Sequence, residues 1–168
     1  MTEAMITTQY QSPIGVITLV SDGDSLTELQ LTKSHGAETE SKKTNFQDQP
    51  NTQDLPTFIA TRRWLDLYFN GTKPDFIPPL KPQGSPFQQK VWLELLAIPY
   101  GQTTTYGAIA QRLNCRSAQA VGQAIHRNPI AIIIPCHRVI GSDGSLTGYA
   151  SGLDIKQQLL TIENTQLF

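Results

Sequence analysis

Cys136, His137 and Arg138 stand side by side, behind the apolar run Ile132-Ile133-Ile134 and Pro135. A thiol turns into a strong, soft nucleophile when a basic or cationic neighbour favours its thiolate. A lone cysteine is more often a small buried hydrophobe with no chemistry. Two polar residues directly after the thiol point the other way, because charged groups rarely enter a core unpaired. Cys115, the second cysteine, falls in a turn after a helix and is assigned no catalytic role. His35 has no cysteine or second histidine near it in sequence, so no metal site is expected. No cofactor motif is present either.

The elements that must position this trio are legible from periodicity and punctuation. Ile132 to Ile134 reads as a short buried strand, rich in β-branched residues, that Pro135 ends. The thiol would then be delivered at a strand exit. Upstream, Thr104 is expected to cap a helix over Thr105–Leu113, and Ser117 a second over Ala118–Arg127. The polar turn Asn114-Cys115-Arg116 between them makes a helix-turn-helix. The second helix is built from small residues, Ala118, Ala120, Gly122 and Ala124 among them. Small side chains allow close approach to either a neighbouring helix or a DNA groove. Ser85-Pro86-Phe87-Gln88 starts another helix with a capping box, and Ile98-Pro99-Tyr100-Gly101 breaks it.

The N-terminal half reads differently. Thr7–Tyr10, Val16–Val20 and Leu26–Leu31 form an expected antiparallel meander. Residues 33–50 are polar and aperiodic, and a helix follows from Asp54 to Phe69, stopped by Asn70-Gly71. Thr72 to Gln83 holds four prolines and reads as a semi-rigid linker. The expected organisation is therefore α+β in two domains, residues 1–80 and 81–168.

Charge divides along the same line. Residues 1–80 carry six Lys/Arg against ten Asp/Glu, and residues 81–168 carry seven against four. Phosphate is attracted to the second half and repelled by the first. The start, Met1 to Gln11, is polar and lacks a secretory pattern. No apolar run reaches the about 20 residues a membrane span needs. A cytoplasmic protein with reduced thiols is expected.

Ile134-Pro135-Cys136-His137-Arg138-Val139 resembles the active-site signature of the O6-alkylguanine-DNA alkyltransferases. The likeness extends through Gly141, Gly144, Gly148-Tyr149, Gly152, Lys156, Leu159-Leu160 and Glu163. Upstream it takes in Phe87 to Trp92, Ile98-Pro99-Tyr100-Gly101, Thr105-Tyr106-Gly107 and Asn128-Pro129. The resemblance implies a small N-terminal α/β domain of ribonuclease-like topology that acts as a scaffold. It also implies a C-terminal helical domain whose helix-turn-helix is of winged-helix type, with the second helix in the minor groove. The implied partner is double-stranded DNA carrying O6-alkylguanine, with O4-alkylthymine a candidate second lesion. The protein would act as a monomer, without cofactor, away from membranes.

The same resemblance assigns roles. Cys136 takes the alkyl group from a guanine flipped out of the duplex. His137 activates it through a water, and Glu163 orients the imidazole. Tyr106 lies beside the flipped nucleotide's phosphate and can donate to guanine N3. Asn128 ties the helix-turn-helix to the active-site segment. Tyr149 is a stacking wall, and the backbone of Cys136, Val139 and Ala150 meets the purine edge. Arg138 braces the segment or contacts phosphate. Ala120 and Gly122 line the DNA-facing helix. This chain departs at Gln119, where the family usually places an arginine that fills the vacated stack, and Arg116 is the candidate substitute. Read without the family, Tyr106 would be a packing residue and Glu163 a solvent-exposed helix residue.

The product would be a thioether that nothing in the chain can remove, so each molecule would react once. Two rivals stand beside this reading. One is a non-catalytic binder that flags alkylated DNA for another pathway, against which Cys136 argues. The other is a cysteine hydrolase using Cys136 and His137, which would turn over.

Overall fold

The computed structural model describes residues 5–31, 55–145 and 152–163. The chain divides into two compact units, Met1–Lys81 and Pro82–Phe168. In the first, β1 (Ile6–Ser12), β2 (Gly15–Ser21) and β3 (Leu26–Leu31) form an antiparallel sheet in that order. Along β2 the buried positions are Ile17, Leu19 and Ser21, the two-residue period of a strand with one face on a core. Gly15 makes the first reversal at φ +123°, a conformation that L side chains rarely adopt. Helix α1 (Pro56–Phe69) covers the sheet and buries Phe58, Trp64, Leu65 and Tyr68 beside Ile17, Leu19, Leu26 and Leu29. Pro56 occupies its first turn, and Gly71, at φ +81°, follows its end.

The proline-rich stretch is more than a linker. Leu26 N–H donates to Pro79 O at 2.8 Å, and Lys81 N–H to Leu26 O at 2.8 Å, so Leu80 forms a parallel bridge with Leu26. Its second half is stitched onto the first unit. Proline suits such an edge because it needs few ladder donors.

The second unit is helical. Helix α2 (Pro86–Leu96) opens on the expected capping box, with Ser85 Oγ accepting from Gln88 N–H at 3.2 Å and Gln88 Oε1 from Ser85 N–H at 2.9 Å. Trp92 on α2 is 1% exposed and donates Nε1–H to Ala124 O at 2.9 Å. Ala124 belongs to α4 (Ala118–His126), which packs against α3 (Tyr106–Arg112). Thr105 caps α3, one residue later than expected, and Ser117 caps α4. Between the two helices, Asn114 takes φ +54°, a left-handed conformation that asparagine tolerates better than most residues. The helix-turn-helix is therefore present. Helix α5 (Leu153–Ile162) ends the described chain and packs its buried face, Lys156, Leu159 and Leu160, inward.

The segment before the thiol corrects the sequence expectation. Ile130 to Ile134 are buried, but they form a compact turn, not a strand. Ile132 has φ +71°, strained for a β-branched residue by about 1–3 kcal/mol. Ile133 N–H donates to Ala131 O at 2.7 Å and Ile134 N–H to Ile130 O at 3.1 Å. Asn128 closes the loop from both sides. Its Oδ1 accepts from Ile130 N–H at 2.9 Å, and its Nδ2 donates to Ile134 O at 2.8 Å. One amide side chain thus supplies what a neighbouring strand would have supplied. Apolarity predicts burial for such a run and is silent about the partner of its backbone. The strand falls after the thiol instead: β5 (Val139–Ile140) pairs in parallel with β4 (Thr104–Thr105).

Candidate active site

Cys136, His137 and Arg138 form one turn of 3-10 helix between Pro135 and β5. All three are buried; Cys136 is 8% exposed and His137 fully enclosed. Glu163, at the C-terminal cap of α5, is 3% exposed, which corrects the solvent-exposed reading of that residue. Its carboxylate collects four donors. Oε2 receives His137 Nε2 at 2.6 Å and Arg138 Nη2 at 3.1 Å. Oε1 receives Arg138 Nε at 2.9 Å and Gly101 N–H at 3.1 Å. Arg138 spends its Nη1 on Ile98 O at 2.7 Å, and its guanidinium lies 5.7 Å from the centre of the Tyr100 ring. The breaker Ile98-Pro99-Tyr100-Gly101 is thus the lid of this polar cluster. Every guanidinium nitrogen of Arg138 is engaged inside the unit.

Electrostatics fix the protonation states. Burial holds the His137 imidazole below its usual value, outweighing the attraction of Glu163, while Arg138 and Lys156 push the same way as burial. Burial alone would raise the Glu163 carboxyl, but the hydrogen bonds of His137 and Arg138 and the charge of Arg138 overcome it and hold it at about 2. A neutral imidazole beside an ionised carboxylate follows. With Nε2 donating to Glu163, Nδ1 carries the lone pair.

Lys156 went unremarked as a site residue, although it lies two helical turns before Glu163 on the same face of α5. It is fully buried. Burial lowers its ammonium to about 8, while the charge that Cys136 carries when ionised works in the opposite sense. A lysine is seldom enclosed without a partner, and a helical period ending in lysine normally signals a solvated face. What the sequence omits is the burial that the folded unit imposes on this position.

The helix-turn-helix presents an open groove of about 740 Å³ lined by Tyr106, Ala118, Gln119, Gly122, Gln123, His126 and Arg127. The Tyr106 ring lies over Gly122, where a Cβ would stand 3.7 Å from Cδ1, an ordinary contact. Gln119, at the expected gap-filling position, is exposed on this face. Arg116 is exposed but does not line the groove, and neither does Ala120. The cation that the groove does contain is Arg127, with His126 beside it. Sequence spacing from Gln119 could have found His126, which sits seven residues, two helical turns, further along. Val139 is buried in β5 with its N–H donating to Cys136 O, so that donor is committed to the fold. Tyr149 and Ala150 lie outside the described residues.

Residues 86–165 match the DNA-binding domain of 6-O-methylguanine DNA methyltransferases, and residues 5–82 match the ribonuclease-like domain of the same proteins. The chain belongs to that family. It is 45% identical to the methylated-DNA–protein-cysteine methyltransferase of Methanosarcina acetivorans over 93% of this chain and 96% of that one. The enzyme of the same name from Haemophilus influenzae is 43% identical, over 95% and 87% respectively. Among solved structures, the O6-methylguanine methyltransferase of Mycobacterium tuberculosis superposes with a TM-score of 0.80 at 40% identity, covering 95% of this chain and 93% of that one. A structure of the M. tuberculosis OGT in complex with DNA gives 0.78 at 41% identity, covering 95% and 91%. The α+β architecture, with its ribonuclease-like and DNA-binding halves, is that of the methyltransferase family. Within this family member the described residues contain no group of three or more His, Cys, Asp or Glu able to hold a metal, and no helix long and apolar enough to cross a membrane.

Proposed function

We propose that the chain repairs duplex DNA by moving the alkyl group of O6-alkylguanine onto Sγ of Cys136, once per molecule. The observation that carries this is a buried cysteine followed directly by a buried histidine whose Nε2 is held by a fully hydrogen-bonded carboxylate. Relatives named for transfer to a protein cysteine, together with Cys136 itself, favour this reading over a non-catalytic lesion binder. The N-terminal unit serves as scaffold, and the C-terminal unit binds DNA and carries the chemistry.

The reaction balances with the residues in hand. The Cys136 S–H proton passes through a water to Nδ1 of His137, whose Nε2–H stays on Glu163. Sulfur attacks the alkyl carbon in line, an S–C bond forms, and the C–O6 bond breaks. Its electron pair returns to the purine, which takes up a proton. The Tyr106 hydroxyl, at the groove wall, donates to the purine and improves it as a leaving group. The target carbon is buried in the stack, so the nucleotide must first be extruded, at a cost of a few kcal/mol. Tyr149 and the backbone of Cys136, Val139 and Ala150 receive the base. Asn128 sets the turn that carries the thiol. Gln119, with Gly122 beneath Tyr106, meets the vacated stack, and Ala120 and Arg116 support the helix-turn-helix on DNA. Monomeric action and acceptance of O4-alkylthymine belong to the same reading.

Mass spectrometry after mixing with an O6-methylguanine duplex tests it. One added methylene on the Cys136 peptide, never exceeding one equivalent, is the expected result. Turnover beyond one equivalent, or a methyl group elsewhere, would sink the proposal.

Two substitutions probe the surroundings. Glutamine at position 119 is shorter than arginine and uncharged, so Gln119→Arg is expected to tighten duplex binding about three- to tenfold at fixed salt. Unchanged affinity in a gel-shift titration would count against a DNA-facing role for that position. Lys156→Met removes the cation whose charge favours the thiolate. Transfer near neutral pH is expected to slow about tenfold. Because the native ammonium itself loses its proton near 8, the deficit should shrink above that pH. A deficit independent of pH would show that Lys156 acts only by packing.

A further inference from the structure

We propose that Arg138 is a positioning residue that keeps His137 uncharged, with its Nε2–H on Glu163, so that Nδ1 remains a proton acceptor at neutral pH. This rests on the reading that Cys136 is activated through His137. Arg138 lies two residues after the thiol, and its three guanidinium nitrogens are all engaged by Glu163 and Ile98.

The geometry carries the assignment. A buried carboxylate touching an imidazole normally draws a proton onto the ring, because the ion pair relieves an otherwise isolated charge. An imidazolium has no lone pair and cannot accept the thiol's proton. Here the charge of Glu163 is already met by Arg138, which grips both oxygens at 2.9 and 3.1 Å. The fork is fixed from the other side by Ile98 O at 2.7 Å, and the fourth acceptor position on Glu163 is filled by Gly101 N–H at 3.1 Å. The carboxylate therefore orients the ring without needing its charge. Lysine could supply the charge but not the two-pronged grip.

The charged and titratable groups around His137 are Glu163 and Lys156 from α5, and Cys136 and Arg138 from its own turn. Tyr100, under the guanidinium, completes the set among the described residues, from the 98–101 breaker. Glu163 favours imidazolium, as would an ionised Cys136, and Arg138 is the cation in direct contact with the Glu163 carboxylate. Burial and Lys156 push His137 in the same direction as Arg138.

The test is the pH profile of single-turnover transfer from an O6-methylguanine duplex, for the full chain and for Arg138→Met and Arg138→Lys. In Arg138→Met the acid limb should move up by about one pH unit or more. In Arg138→Lys the limb should stay near that of the native chain, whatever its rate. A uniform drop at every pH in Arg138→Met, or an equal shift in both variants, overturns the proposal. Nitrogen NMR of His137 in the unmodified protein decides the matter independently if Arg138→Met does not fold. A neutral ring protonated at Nε2 near pH 7 is expected, and an imidazolium there overturns it. The Cys136 peptide mass separates the two levels. Transfer to Cys136 without a limb shift refutes Arg138's role alone, whereas no methyl on Cys136 removes the reading beneath it.

Discussion

Cys136→Ala is expected to abolish alkyl transfer, by about 10⁴-fold or more, while leaving affinity for the lesion duplex intact. The sulfur is the one atom that the proposed step consumes, and its neighbours act only through it. Cys115 cannot stand in. It lies in the turn between α3 and α4, with its thiol donating to Ser117 O at 3.5 Å. The substitution removes a single heavy atom from a small buried side chain and leaves the groove face of α4 unchanged, so the fold and DNA contacts should survive. Transfer rates and gel-shift affinities, measured on one preparation, check both halves. Retained transfer would end the nucleophile assignment. Lost binding with lost transfer would show that position 136 shapes the DNA-bound state.

Glu163→Gln should be the most damaging isosteric change in the chain. The carboxylate accepts four hydrogen bonds from His137, Arg138 and Gly101, and an amide offers a single acceptor oxygen. Its NH₂ would face a donor, and the Arg138 guanidinium would remain buried beside no anion. Breaking one partner of such a buried pair costs about 3–5 kcal/mol. Transfer should also fall about 10²- to 10⁴-fold, because the imidazole loses its orienting acceptor. Urea unfolding and single-turnover transfer read the two effects.

The pH dependence gives an independent check with a definite sign. Glu163 titrates at about 2 in the folded chain against an ordinary 4.5. A lowered carboxylate contributes stability that is complete above its unfolded value and is lost as pH falls through the folded one. The native chain should therefore lose stability between about 4.5 and 2, and Glu163→Gln should lack that part of the loss. An acid-unfolding profile identical in the two proteins would contradict the assignment of the low carboxyl to Glu163.

Much of the second unit could be read from local chemistry. Ser85 with Gln88 and Ser117 before Ala118 are caps whose partners lie three residues away, so neighbours in sequence define them, whereas of the adjacent Thr104 and Thr105 it is the second that caps α3. The β1–β2–β3 meander was equally visible, because alternation and turn residues are local signals. The run Ile130 to Ile134 shows where that logic fails. Its apolarity secured burial, but whether its amides joined a ladder or a turn depended on Asn128, whose side chain reaches both Ile130 and Ile134. The tie of the proline-rich stretch to Leu26 is equally invisible locally, since it spans more than fifty residues.

By itself the amino-acid order determined the caps, the helix-turn-helix, the charge division and the cluster that a nucleophile requires. Composition and near-neighbour hydrogen bonding specify these without reference to distant residues. Only the tertiary structure decided the state of the site. It put Glu163 and Lys156 of α5 and the backbone of Ile98 and Gly101 around a turn to which they are not adjacent in the chain. Proton affinities inside a protein depend on burial and on charges a few ångströms away, and those distances exist only once the chain has closed on itself.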